Sequence, residues 1–155
     1  MSQGSQRTRR PRPSLLYAVK QVELIVRSRL DEVLRDSGIT ALQYTALTVL
    51  ARRDGLTSAE LARNSFVTPQ AMADLVTALE RGHHIERRRD PENRRQLLIS
   101  LTPTGQELLA RYAAPVAAIE ERMVADLGDD DRERFRGYLD TARAALADGP
   151  GQERR

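Results

Sequence analysis

Between residues 40 and 69 the chain carries three helix starts in quick succession, and this punctuation constrains the fold more than any other feature. Thr40-Ala-Leu-Gln43 and Thr57-Ser-Ala-Glu60 both have the form of a capping box. In that device the threonine hydroxyl accepts from the amide three residues on, and the Gln or Glu there reaches back to the threonine N–H. Thr68-Pro69 places an N-cap before a proline at the first helical position, where the missing N–H costs nothing. Tyr44, Leu47 and Leu50 mark the inward face of the first of these helices, Leu61 and Ala62 that of the second, and Met72, Leu75, Val76 and Leu79 that of the third. The connections, Arg53-Asp54-Gly55 and Phe66-Val67, are short. Three helices packed this closely need each other to cover their apolar sides.

The flanks extend the pattern. A helix begins at Ser14, shows Val19, Val22, Val26, Leu30 and Val33 on one side, and stops near Ser37-Gly38. After Leu79 the period changes. Ile85 to Arg89 and Gln96 to Leu101 flank the turn residues Asp90-Pro91-Glu92-Asn93, which predicts a two-stranded hairpin. Thr102-Pro103 repeats the N-cap and proline signal and starts a long helix with a seam of Leu109, Tyr112, Val116, Ile119, Met123 and Leu127. Pro115 lies inside that helix and is expected to bend or break it. Gly128-Asp129-Asp130-Asp131 ends it and caps a last helix with Phe135, Leu139, Ala142 and Leu146 inward. The expected fold is mainly α with one small β-hairpin. It is a single domain over residues 14–147, with a core at about 40–102 between terminal helices at about 14–37 and 103–147. A flexible basic arm is expected at 1–13, with Arg7, Arg9, Arg10 and Arg12, and a frayed tail at 148–155.

Several function classes are excluded by what is missing. The chain has no cysteine, which removes disulfides, thiolate metal sites and thiol nucleophiles. His83 and His84 are adjacent, so their side chains point differently, and no third ligand lies at metal-site spacing; a turn beside the hairpin accounts for them better. There is no nucleophile–base pair and no glycine-rich phosphate loop, so neither an enzyme nor a cofactor is expected. No apolar run approaches the roughly 20 residues of a membrane helix, and the basic N-terminus lacks an apolar signal core. A cytoplasmic protein with no membrane partner is the expectation.

The hairpin itself reads Arg87-Arg88-Arg89-Asp90-Pro91-Glu92-Asn93-Arg94-Arg95, five arginines around two acids. The net charge is only +3 at a pI of about 9.8, so the placement of charge matters more than its sum. A basic hairpin tip taken alone is equally a solvated edge protected against sheet pairing. Behind three capped helices, however, it has the size and order of a winged helix-turn-helix. One short helix there crosses the phosphate backbone, the next enters the major groove, and the hairpin wing reaches toward the neighbouring minor groove or backbone. A winged-helix module that binds protein rather than DNA is the competing reading, and the basic wing argues against it.

The segments ITALQYTALTVLARRDGLTSAELARNSFVTPQAMADLVTALE and IERRRDPENRRQLLISLTPTGQELL resemble the MarR family of bacterial transcription regulators. The family's wing motif, Asp-x-x-Asp-Arg-Arg followed by a strand and Leu-Thr-x-x-Gly, is matched by Asp90, Asn93, Arg94, Arg95, Leu101, Thr102 and Gly105. Asn93 stands where an aspartate that tethers a wing arginine is usual, leaving Asn93, Asp90 or Glu92 as the tether. Gly82 falls one place before the family's helix-ending glycine, which aligns with His83, so the left-handed cap is expected to shift by one residue.

The resemblance implies the roles. Thr68, Gln70, Ala71, Asp74 and Thr77 face the groove on the recognition helix, with Gln suited to adenine and Ala to a thymine methyl. Thr57 and Ser65 are expected phosphate contacts, Arg94 and Arg95 wing contacts, and Arg87, Arg88 and Arg89 approach the backbone. The terminal helices imply a homodimer on a pseudo-palindromic operator, half-sites about one turn apart. A small, frequently phenolic anion is expected between Tyr17, Val19, Lys20, Gln43, Tyr44, Leu47 and Tyr112, with Lys20 or Arg27 neutralising its carboxylate. The implied function is a repressor released by such a ligand.

Overall fold

The structure is a computed structural model that describes residues 11–147. The expected arm, apart from its last three residues, and the expected tail lie outside the described residues. The element order is α1 (Leu15–Val33), α2 (Ala41–Arg52), α3 (Ser58–Ser65), α4 (Pro69–Arg81), β1 (Ile85–Arg89), β2 (Leu97–Leu101), α5 (Pro103–Met123) and α6 (Asp129–Ala147). The chain divides into two compact units, Met1–Val116 and Ala117–Arg155.

In the first unit the helix starts form as the sequence dictates. Thr40 Oγ1 accepts from the Gln43 N–H at 3.2 Å and Gln43 Oε1 accepts from the Thr40 N–H at 2.9 Å. Thr57 and Glu60 repeat the exchange at 3.2 and 2.9 Å. Thr68 caps α4 through the Ala71 N–H at 3.1 Å, with Pro69 in the first turn. Thr102 caps α5 through the Gly105 N–H at 3.1 Å.

Every inward residue named above for α2, α3 and α4 is buried, and all of them meet in one core with Leu34, Leu56, Ile85, Ile99 and Leu108. The strands pair antiparallel in the register Ile85↔Leu101, Arg87↔Ile99 and Arg89↔Leu97. The wing is also tied to the loop between α2 and α3. Leu56 and Ile99 exchange backbone hydrogen bonds of 2.7 and 3.2 Å, and Asp54 Oδ1 accepts from the Leu101 N–H at 3.2 Å. A two-stranded ribbon alone is marginal in water, so these bonds and the buried Ile85 and Ile99 fix its base.

Three expectations are corrected. The left-handed position at the end of α4 did not move: His83 has φ 59° whereas the C-cap Gly82 has φ −78°. The reason is the hydrogen-bond pattern. The His83 N–H donates to Glu80 O at 2.9 Å and the His84 N–H to Leu79 O at 3.0 Å, a Schellman motif whose left-handed residue must be His83. Pro115 does not break α5, which runs unbroken to Met123. The missing N–H and the crowding of the carbonyl four residues earlier disturb one turn without ending the helix. Third, α5 ends before Leu127, which sits in the turn leading to α6.

The seams of the terminal helices stay largely uncovered in the single chain. No residue of α1 or α6 is buried. Leu15, Val19, Val22 and Ile25 of α1 are exposed, as are Tyr138, Leu139 and Leu146 of α6. Within the second unit, Arg132 donates to Leu127 O at 3.1 Å and pairs with Glu121 at 3.2 Å. Among the described residues no helix is long and apolar enough to cross a membrane.

Candidate nucleic-acid interface

Helix α4 separates its residues sharply. Met72, Leu75, Val76 and Leu79 are buried, which turns Thr68, Gln70, Ala71, Asp74 and Thr77 outward, all exposed. Thr68 is occupied as the cap, and the Thr77 hydroxyl donates to Ala73 O at 3.0 Å. Gln70 and Asp74 make no side-chain hydrogen bond or ion pair among the described residues, so their polar atoms are free to meet a base edge.

The wing answers how five arginines tolerate each other. Arg87 pairs with Glu80 of α4, and Arg88 with Glu86 at 2.6 Å. Arg89 donates to Arg94 O at 2.9 Å, closing the tip. Among the described residues Arg94 and Arg95 have no acidic partner, and both are exposed. The charge that no acid matches therefore belongs to Arg89, Arg94 and Arg95, and of these only Arg94 and Arg95 have side chains without a partner among the described residues.

The expected acid tether is absent from this wing. Asn93 Oδ1 accepts from the Arg95 backbone N–H at 3.2 Å, and Asp90 Oδ1 from the Glu92 N–H at 2.9 Å. These carboxylate and amide groups shape the turn, and no arginine side chain is held by them.

A cleft of about 450 Å³ opens between the start of α3, the outer side of α4 and the wing, walled by Thr57, Ala73, Thr77, Arg87, Arg95 and Gln96. It brings together four residues singled out from sequence, Thr57, Thr77, Arg87 and Arg95. The Thr57 hydroxyl is engaged twice with Glu60, accepting from its N–H and donating to Oε2 at 3.1 Å. The Thr57 backbone N–H, which donates to Glu60 Oε2 at 2.9 Å, and then the Thr57 hydroxyl, ahead of the Arg53 and Arg63 charges, hold the Glu60 carboxyl below its usual range.

Ser65 is the one expected phosphate contact that the structure removes. Its side chain is 5% exposed and its hydroxyl is buried with no hydrogen-bond partner. It occupies an inward position of α3 beside Leu61 and Ala62, so a polar residue type concealed a core position.

The residues expected around a small anion are engaged in different ways. Leu47 is fully buried in the core and Tyr44 nearly so, with burial pushing its phenol up from the ordinary value. Gln43 is committed to the cap of α2. Tyr112 is half-buried against the core, Tyr17 and Val19 are exposed on α1, and Lys20 and Arg27 both pair with Glu23, at 3.6 and 3.5 Å. Two residues that matter escaped the sequence reading. Glu80 faces Arg87 and Asp54 pins β2; the only signal for either is that an acid closes an element next to the wing.

A family model described as the MarR family matches residues 37–96, the span of these three helices and the wing tip. The HTH-type transcriptional repressor Rv2887 of Mycobacterium tuberculosis is 32% identical over 124 residues, 80% of this chain and 89% of its own. The chain belongs to the MarR family. Among solved structures, the transcriptional repressor CouR bound to a 23-mer DNA duplex matches at 28% identity and a TM-score of 0.75, over 84% of this chain and 92% of that one. A structure of Rv2887 with p-aminosalicylic acid matches at 31% identity and a TM-score of 0.67, over 84% and 98%. In MarR-family terms the chain keeps the left-handed cap with a histidine in it, and holds its wing tip by an arginine–carbonyl bond.

Proposed function

We propose that this MarR-family chain is a sequence-specific double-stranded-DNA-binding transcription regulator, a homodimeric cytoplasmic repressor released by a small aromatic-acid ligand. The observation that carries the DNA reading is the pairing of an outward polar face on α4 with two exposed arginines, Arg94 and Arg95, whose side chains have no partner among the described residues, at the wing tip. Gln70, Ala71 and Asp74 read base edges, with Thr68 and Thr77 beside them. Arg94 and Arg95 contact phosphate or the minor groove, where arginine finds concentrated negative potential. Thr57 with the cleft beside it meets the backbone.

The dimer rests on the exposed apolar residues of α1 and α6, which water would not leave uncovered at low cost. Two-fold pairing presents two copies of α4 to half-sites about one turn apart. The relatives support the rest: one solved neighbour holds a DNA duplex, and another holds an aromatic acid. A ligand releases DNA when it favours a spacing of the recognition helices that the half-sites do not fit.

The test is fluorescence anisotropy of purified protein on DNA flanking its own gene, against random duplex, at two salt concentrations. Tight binding with a strong salt dependence and a large preference for the flanking DNA is expected. Weak binding, equal on both duplexes, overturns the specific reading and returns the fold to the protein-binding alternative. Adding p-aminosalicylate as a probe is expected to weaken operator binding.

A further inference from the structure

Arg87 enters the interface already neutralised. Side chains alternate across a strand, so Arg87 and Arg89 share one face of β1 while Glu86 and Arg88 share the other. Arg88 and its partner Glu86 are neighbours on that second face. Arg87 instead reaches across to the last turns of α4, where its guanidinium pairs with Glu80. The two side chains are 38% and 40% exposed, so the pair stands at the surface rather than in the core. Arg87 also walls the cleft it shares with Thr77 and Arg95. An acid on the recognition helix therefore cancels one of the cations nearest the place a phosphate would approach.

We infer that Glu80 is a specificity-determining residue of the DNA-binding face, acting through Arg87. This rests on the DNA reading above. On random duplex, binding is driven by cations that displace counterions from phosphate, and a cation already matched by a carboxylate displaces little. Glu80 thus lowers affinity for DNA that fits nowhere. In a complex that seats a phosphate in the cleft, the guanidinium has donors enough for both the carboxylate and the phosphate. Glu80 then fixes the direction in which Arg87 points. The pair costs little to share, because an ion pair between exposed side chains contributes little to stability. Removing the carboxylate should therefore help random DNA more than the operator.

The experiment is a double-mutant cycle on wild type, Glu80→Gln, Arg87→Gln and the double variant, each titrated with operator and with random duplex over a salt series. Glutamine keeps the size of the side chain and one acceptor for Arg87, and a thermal melt checks that each variant is folded. Glu80→Gln is expected to raise random-duplex affinity about fivefold near 0.1 M salt and to steepen the salt slope by up to about 0.9, with operator affinity changing less than twofold. The gain from removing Glu80 is expected to be at least threefold larger with Arg87 present than with Gln at that position. Unchanged or weaker random binding overturns the inference. So does an equal gain in both backgrounds, which would make Glu80 a bare repulsive charge. A merely structural clamp would show as equal losses on both duplexes with a lower melting temperature. If wild type binds neither duplex, the DNA reading itself falls, a result distinct from all of these.

Discussion

Gly105 is where the wing, the recognition helix and α5 meet, and replacing it by alanine is a sharp test of that joint. A Cβ at position 105 would lie 2.2 Å from the His84 carbonyl oxygen and 3.1 Å from Leu101 Cδ2. An ordinary carbon–oxygen contact needs more than 1 Å of additional room. The carbonyl cannot yield freely, because it accepts from the Thr102 N–H at 3.1 Å while the neighbouring His83 carbonyl accepts from the Thr102 hydroxyl at 2.6 Å. Overpacking against backbone costs about 1–3 kcal/mol, and losing one of these hydrogen bonds about 1 kcal/mol more. Alanine's better helix propensity offsets about 1 kcal/mol. The net expectation is a loss of about 2 kcal/mol. For a chain of this length that is a fall in Tm of about 6 °C. Urea denaturation followed by far-UV circular dichroism measures it, and operator affinity is expected to fall as well, since β1 begins beside that carbonyl. Stability within about 0.5 kcal/mol of wild type would refute the tight joint.

Other perturbations separate the roles of individual groups. Arg94→Ala with Arg95→Ala is expected to weaken operator binding by more than tenfold and to reduce the salt slope by up to about 1.8, with dimerisation unchanged by sedimentation; an unchanged slope would remove both residues from the interface. Gln70→Ala should lower operator affinity by about 1–3 kcal/mol while leaving random-duplex affinity nearly intact, and equal losses would show that Gln70 reads no base. Burial, and secondarily the charge of His83, hold the His84 imidazole below its ordinary value of 6.5, and its Nδ1 is buried without a partner. A depressed histidine contributes stability that is full above about pH 6.5 and is lost as pH falls through its lowered folded value. His84→Leu is therefore expected to flatten the stability profile just below pH 6.5, and a parallel profile in wild type and variant would contradict this.

Local chemistry made much of the fold legible. Thr40 with Gln43, Thr57 with Glu60, and Thr68 with Pro69 are short-range signals, and a cap depends on residues only a few places apart. The hairpin turn is equally local. What stayed illegible depends on tertiary neighbours. Ser65 looks like a surface residue by type, yet its place on α3 turns it inward. Leu47 and Tyr44 lie at helical spacing that serves a pocket or a core equally, and the core took them. Glycine at 82 suggested a displaced cap, but the carbonyls of Leu79 and Glu80 decide which residue turns left-handed, and they select His83. The arginines show the limit most plainly. Sequence shows five cations in one hairpin; only the fold shows that Glu80 and Glu86 claim two of them, that Arg89 is spent on the Arg94 carbonyl, and that Arg94 and Arg95 are left free.

The central claim is that the outer face of α4 and the free wing arginines read a two-fold DNA site. Selection of bound sequences from a randomised duplex pool by the wild-type protein tests it most directly. The expected result is one enriched pseudo-palindrome with half-sites about one helical turn apart, in which Gln70→Ala relaxes the same position of each half. A pool that stays random after repeated rounds, or an enriched motif with no two-fold symmetry, would contradict it.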